Sequence, residues 1–189
     1  RDTIRRVQYA RDAGIDGVQI CFPGWMEMPL RDNDQFLEDV YRAVSDIALI
    51  HYNVGRARRV FHGRDYQRVL SRVPTLIGTK VAGMPMHELI ELTQNAPQLH
   101  HFVGELMFGL SHQVGAKGMY TSWYMMNPDF FHNYYKLCVE GRYQEAVAIS
   151  LRLAKWFDAA VLPLIDRGYM DPSLDKAFVE IGGWLPVNR

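Results

Sequence analysis

Short apolar runs alternate with segments of helical spacing along most of the sequence. That rhythm restricts the chain to parallel strands joined by crossover helices. Residues 16–22, 49–54, 76–82, 100–103 and 118–122 read as strands, each an apolar run bounded by Gly, Pro or a polar turn. Between them the apolar residues recur at helical intervals. Residues 3–13 form the first such segment, with Asp2 as N-cap and Gly14 as stop. Residues 32–48 carry Phe36, Leu37, Val40, Tyr41, Val44 and Ile47 on one stripe. Further helices are expected around 64–72, 86–95 and 105–113, the last ending at Gly115. From 129 onward the chain reads as helical, broken at Gly141 and near Gly168.

Two architectures give this alternation: a doubly wound sheet and a (β/α)8 barrel. No Gly-rich fingerprint follows any strand, which argues against a nucleotide-binding doubly wound fold. A barrel needs about 250 residues, and this chain of 189 has five strand–helix units. Arg1 is not a start methionine, and Asp2-Thr3 leads into a helix with no strand before it. Three N-terminal units are therefore expected to precede it. On that reading residues 1–189 are one domain, with barrel units to about 128 and a last barrel helix plus helical extension over 129–189. Periodicity alone leaves the two architectures open.

Composition narrows the function classes. Lys plus Arg and Asp plus Glu both number 21, so net charge points to neither nucleic acid nor an anionic membrane. No apolar run is long enough to span a bilayer, and no leader opens the chain, so a cytoplasmic protein is expected. Cys21 and Cys138 form no metal or redox spacing. His51, His62, His87, His100, His101, His112 and His132 show no ligand pattern. His100 and His101 point to opposite faces of a strand. Neither a metal nor a cofactor is expected.

Lys80 is the residue with chemical consequence. By strict alternation Leu76, Gly78, Lys80 and Ala82 share one strand face. A parallel sheet is expected to be buried on both faces. A lysine there must be paired, neutral or at the C-terminal mouth of the strand. In a dry, confined site a lysine amine becomes a nucleophile for carbonyls, and Gly78 would leave room for a small ligand. Tyr52 lies equally far along the preceding strand, and in a barrel the two side chains become neighbours. A phenol there can relay protons around a Schiff base. The competing readings are a strand-end ammonium in solvent and a core tyrosine bonded to a carbonyl. Spacing alone leaves them open.

The motifs carry a resemblance. Tyr52-Asn53-Val54, followed 28 positions after Tyr52 by the lysine of Gly78-Thr79-Lys80-Val81-Ala82, resembles the Tyr-Asn-(Val/Ile)…Gly-x-Lys signature of one superfamily. This is the dihydrodipicolinate synthase/N-acetylneuraminate lyase superfamily of class I pyruvate-dependent aldolases. Gly115-Ala116-Lys117-Gly118-Met119-Tyr120-Thr121-Ser122 is similar to its Gly-x-x-Gly-x-Ile-Ser motif on the last strand. Residues 5–29 resemble its third helix, fourth strand and Pro-containing loop, and residues 172–185 its closing helical segment. The resemblance implies a (β/α)8 barrel with a helical C-terminal extension, present here as strands 4–8. It also implies an imine between Lys80 and a 2-keto acid, usually pyruvate, with an aldehyde as second partner. Tyr52 is then the proton relay, and the Tyr120 carbonyl lines the keto-acid pocket. A homo-oligomer, dimer or tetramer, is implied as well.

Departures from the family pattern refine the expectation. The carboxylate-binding Thr-Thr motif belongs to the absent N-terminal third. The synthases place a Tyr-Tyr pair after their fourth strand, where residues 23–29 here hold Trp25 and no tyrosine. They also hold an arginine five positions after the strand-5 tyrosine, where Ala57 stands between Arg56 and Arg58. Both losses argue against lysine biosynthesis. Trp25 with Pro29-Leu30 is closer to the hydratase-aldolase branch, which takes aromatic or bulky adducts. Ser122, Trp123 and Tyr124 are candidates for the remaining lining, and the Arg56–Arg59 cluster for a carboxylate or phosphate clamp. The alternatives are a sugar-acid lyase similar to N-acetylneuraminate lyase or keto-deoxy-gluconate aldolase, and a catalytically silent keto-acid-binding paralogue.

Overall fold

A computed structural model of the chain describes residues 1–186, so the last three residues of the expected helical extension lie outside the described residues. The elements are α1 (Asp2–Asp12), β1 (Gly17–Ile20), α2 (Leu30–Ala43), β2 (Ala48–Val54), α3 (Gly63–Leu70), β3 (Leu76–Ala82) and α4 (Met86–Asn95). They continue with β4 (His100–Gly104), α5 (Phe108–Ser111), β5 (Gly118–Tyr120), α6 (Pro128–Val139), α7 (Tyr143–Trp156), α8 (Leu162–Asp166) and α9 (Asp171–Ile181). The fold is α/β, with strands and helices in the order the apolar pattern demands. Among the described residues no helix is long and apolar enough to cross a membrane.

Differences from the expected boundaries have local causes. Asp2 sits inside the first turn of α1, where its carboxylate takes the Arg5 guanidinium at 2.7 Å, and Arg1 holds the cap position. α2 stops at Ala43 because Val44 turns to φ −148°, ψ 78°. Val44 and Ile47 share the apolar spacing of that helix but are buried from the connection to β2. β5 ends at Tyr120, because Ser122 already has helical backbone angles and opens a 3-10 turn over Trp123–Met125.

Packing divides the chain into two compact units. The first comprises Arg1–Val103 with Val114–Lys117. Here β1, β2, β3 and β4 lie side by side in sequence order, each pair parallel. One face of these strands carries the core. Ile20, His51, Thr79 and His101 are register partners in a single row, all buried. The polar members of this row have local partners. His51 Nδ1 is 2.7 Å from the Tyr66 hydroxyl on α3, and Thr79 Oγ1 is 2.8 Å from His101 Nδ1. His101 Nε2 reaches the Ala96 carbonyl at 2.9 Å. Phe22 and Phe61 flank His51 with ring centroids 4.3 and 5.5 Å away.

Charge ties α2 to α3 at their shared surface. Arg68 forks onto Asp34, Nε to Oδ2 at 2.6 Å and Nη2 to Oδ1 at 2.9 Å. Arg72 bridges Asp34 and Glu38, and both carboxylates are buried. The pairing holds the Arg68 guanidinium proton more firmly than usual, chiefly through its bond to Asp34. Forked geometry of this kind fixes orientation as well as distance.

The second unit comprises Gly104–Gln113 and the chain from Gly118 onward. α5 rests on α7 through Tyr134, whose hydroxyl accepts the Gly109 N–H at 2.7 Å and meets Ser150 Oγ at 2.5 Å. A Cβ at Gly109 would come within 2.9 Å of the Ala146 backbone, so glycine permits this approach. Gly141 (φ 74°) and Gly168 (φ 88°) end helices where the sequence places the breaks. α7 passes through a π turn, Phe157–Val161, and Trp123 packs there against Trp156 with centroids 4.7 Å apart.

Burial holds His51 neutral by depressing its pKa to about 3, and burial also lowers that of His101. In the unfolded chain both imidazoles bind a proton below about pH 6.5. The folded state then carries fewer protons, so stability is full above that pH and is lost as pH falls towards the folded value. Chemical denaturation across this window should show the loss, and His51→Gln should show a flatter slope between about pH 6.5 and 4.

Candidate functional site

The opposite face of the same strands carries the candidate chemistry. Tyr52 is the register partner of Lys80, and Lys80 is the register partner of Phe102. The three side chains therefore form one row across β2, β3 and β4. Lys80 Nζ lies 4.4 Å from the centroid of the Tyr52 ring, within the range at which an ammonium is attracted to an aromatic face. The proximity expected from spacing is present. Tyr52 and Lys80 each stand two residues before the end of their strand, at the edge where barrel enzymes place their catalytic groups.

This face is not buried as the other is. Tyr52, Lys80 and Phe102 are half-buried, whereas Gln19, Ala82 and His100 are exposed. α3 packs on the opposite side, where the Tyr66 hydroxyl meets His51. Among the described residues the His51–Thr79–His101 side shows the expected burial.

Register is set by an irregularity that strict alternation misses. Leu49 pairs with Leu76, but Ile50 pairs with Gly78, so the pairing skips Ile77. Leu76 is thus buried beside Leu49 and is not in the Lys80 row, while Ile77 is 44% exposed. Gly78 also has a different use from that expected. A Cβ there would lie 2.8 Å from the His100 carbonyl oxygen and 3.5 Å from the Phe102 ring. The missing side chain gives its room to β4. Such a close approach is a recurring reason for glycine in a strand.

The loops after β1 and β2 meet at the same edge. Asn53, fully buried, staples the second loop: its Nδ2 donates to the Phe61 carbonyl at 2.7 Å, and its Oδ1 accepts the Phe61 N–H at 2.8 Å. Arg56 is exposed in the 3-10 turn Gly55–Ala57. Arg58 has left-handed backbone (φ 62°), and its Nε donates to the Gly24 carbonyl at 3.4 Å. Arg59 binds Glu27 at 2.6 Å and the Met28 carbonyl at 3.4 Å. Two arginines of the expected anion clamp are therefore engaged with the protein's own loop. Trp25, carried by that loop, is 82% exposed.

Tyr120 and Ser122 belong to the second unit. Tyr120 ends β5 and is half-buried, and Ser122 stands at the start of the 3-10 turn that follows. In that turn the Tyr124 hydroxyl lies 3.1 Å from His132 Nε2, and Trp123 is core. The chain near Trp184 reaches the same turn, its indole N–H donating to the Met125 carbonyl at 2.6 Å. Among the described residues no three His, Cys, Asp or Glu side chains group as a metal site.

Sequence reasoning missed the Asn53 staple, the Arg58–Arg59 lock and the Asp34–Arg68 fork. Only the last left a pattern. Asp34 and Glu38 fall four apart on the apolar side of α2, and Arg68 and Arg72 four apart on α3.

Comparison with known proteins bears on this arrangement. The model of the dihydrodipicolinate synthetase family matches residues 1–165. None of the curated proteins matches the sequence. Among solved structures, 4-hydroxy-tetrahydrodipicolinate synthase from Methylacidiphilum fumariolicum SolV is 18% identical with a TM-score of 0.85, covering 98% of this chain and 61% of its own. YagE, a prophage protein of the dihydrodipicolinic acid synthase family from E. coli K12 in complex with pyruvate, is 16% identical with a TM-score of 0.80, covering 97% and 60%. N-acetylneuraminate lyase from Fusobacterium nucleatum is 15% identical with a TM-score of 0.73, covering 82% and 53%. At such identities the likeness concerns the fold, part of a (β/α)8 barrel. The chain spans about three-fifths of the length of the first two structures.

Gly78→Ala tests the close approach of β3 to β4. The substitution should destabilise the protein by about 1–3 kcal/mol in urea denaturation, because a backbone oxygen cannot yield as a flexible side chain does.

Proposed function

The chain belongs to the dihydrodipicolinate synthetase family, and from that premise we propose that the whole protein is a class I lyase working through an imine on Lys80. The observation that carries this reading is the Tyr52–Lys80 register pair, with amine and ring 4.4 Å apart. The bound pyruvate of the structurally similar YagE complex supports a 2-keto acid as the carbonyl substrate.

The Lys80 amine adds to C2 of the keto acid, giving a carbinolamine. Loss of water, with a proton supplied to the departing oxygen, leaves the iminium. Loss of a C3 proton gives the enamine, whose C3 attacks the aldehyde carbon while that carbonyl oxygen takes up a proton. Hydrolysis of the resulting iminium releases the product and returns the amine. Read backwards, the same steps cleave the C–C bond. Each direction moves protons at oxygen beside the lysine, and a phenol in register with it is suited to that transfer. No metal is required for these steps.

Exposed Trp25 and Met26 in the loop after β1 favour an aromatic or bulky apolar acceptor over a sugar, since an indole gains most from stacking on an apolar partner. Cytoplasmic location and a homo-oligomeric state belong to the same proposal.

The test is borohydride reduction in the presence of pyruvate. Wild-type protein should gain one reduced pyruvyl group at Lys80, and Lys80→Ala none. Tyr52→Phe should still be labelled but turn over about 10²–10⁴-fold more slowly, the range typical of lost acid–base assistance. Absence of labelling with pyruvate and with other 2-keto acids would remove the lyase reading.

A further inference from the structure

We infer that Arg59 is a positioning residue for the aldehyde side of the site. It locks the loop that carries Trp25 onto the loop that follows the Tyr52 strand. The inference rests on the imine reading of Lys80 and adds to it a determinant of acceptor specificity.

Residues 21–29 contain no helix or strand, so their conformation depends on outside contacts. Four observations supply them. Arg59 pairs with Glu27 at 2.6 Å, and its Nη2 donates to the Met28 carbonyl at 3.4 Å. Arg58 Nε donates to the Gly24 carbonyl at 3.4 Å. Gly24 approaches so closely that a Cβ would lie 3.0 Å from the Arg56 carbonyl oxygen. Finally, the far end of the second loop is fixed by the two-way bond between Asn53 and Phe61.

These contacts hold the first loop on both sides of Trp25 but leave its indole out. Gly24, Glu27 and Met28 are gripped, while Trp25 is 82% exposed and Met26 47% exposed. Two adjacent exposed apolar side chains on a fixed loop give a small apolar surface at the strand ends. Its indole offers an aromatic face to a planar or bulky apolar aldehyde. Arg59 does not touch the substrate in this account; it sets where Trp25 stands. Arg59 is half-buried and both of its contacts, Glu27 and the Met28 carbonyl, lie in the Trp25 loop, so loss of Arg59 should act on the order of that loop first.

The test uses the whole enzyme with pyruvate and two acceptors, benzaldehyde and glyceraldehyde. Arg59→Ala should raise the KM for benzaldehyde about tenfold, the loss of one oriented aromatic contact. The KM for pyruvate, the yield of borohydride-labelled Lys80 and the KM for glyceraldehyde should stay within about twofold. Arg59→Lys, which can still reach Glu27, should restore most of the benzaldehyde affinity. Trp25→Ala should reproduce the defect, and Glu27→Gln should shift the same constant the same way with the arginine retained. An unchanged benzaldehyde KM in Arg59→Ala and Glu27→Gln, with Lys80 labelling intact, overturns this inference alone. So does an equal rise in all three KM values, or failure of the wild type to accept benzaldehyde. Failure of any keto acid to label wild-type Lys80 overturns both readings.

Discussion

The structure of the first unit hangs on the register of β2 against β3. Side chains alternate along a strand, so one residue of slip would exchange every row between the two faces. In the observed register His51 meets Thr79 on the helix side, and Tyr52 meets Lys80 on the other. A slip of β3 by one residue would turn Lys80 to the buried helix side and carry Thr79 away from His101, breaking their bond. Register is pinned at the start by the shift at Leu49/Ile50 and in the middle by Gly78, whose bare backbone admits the His100 carbonyl.

The two faces do different work from similar residues. On the helix side, buried polar groups pair across elements: His51 with Tyr66, Thr79 with His101, Asn53 with Phe61. Each such bond favours one packing, because breaking it would leave a buried polar group unpaired. The other side sets an amine against an aromatic ring, with Lys80 Nζ 4.4 Å from the Tyr52 ring centroid. Loops then extend the row at the strand ends, and arginines bind those loops to one another. Arginine contacts therefore lie beside the Tyr52–Lys80 pair, in the loops at the strand ends.

Much of this was legible in the sequence. The strand–helix rhythm predicted the element order, because apolar spacing reports burial directly. Tyr52 and Lys80 could be paired in advance, since equal depth on consecutive parallel strands puts two side chains side by side. Other features were closed to that reasoning. The skip at Ile77 depends on how two strands pair, and alternation along one strand cannot show it. The packing use of Gly78 is invisible along one strand, because its neighbour, the His100 carbonyl, lies on another. The Arg56–Arg59 cluster looked like an anion clamp because its partners, Gly24, Glu27 and Met28, lie some thirty positions away and two of the contacts are to backbone carbonyls. Helix ends were displaced wherever a backbone turn, as at Val44, overrode side-chain spacing.

The central claim is that one amine and one phenol, aligned by strand register, form a single reacting pair. A crystal structure of the whole protein soaked with pyruvate tests it most directly. Continuous electron density from Lys80 Nζ to C2 of the ligand is expected, with the Tyr52 hydroxyl within hydrogen-bonding distance of the reacting carbon's substituents. Pyruvate bound elsewhere with Lys80 unmodified, or an adduct at Lys80 with the Tyr52 hydroxyl turned away from it, would contradict the account.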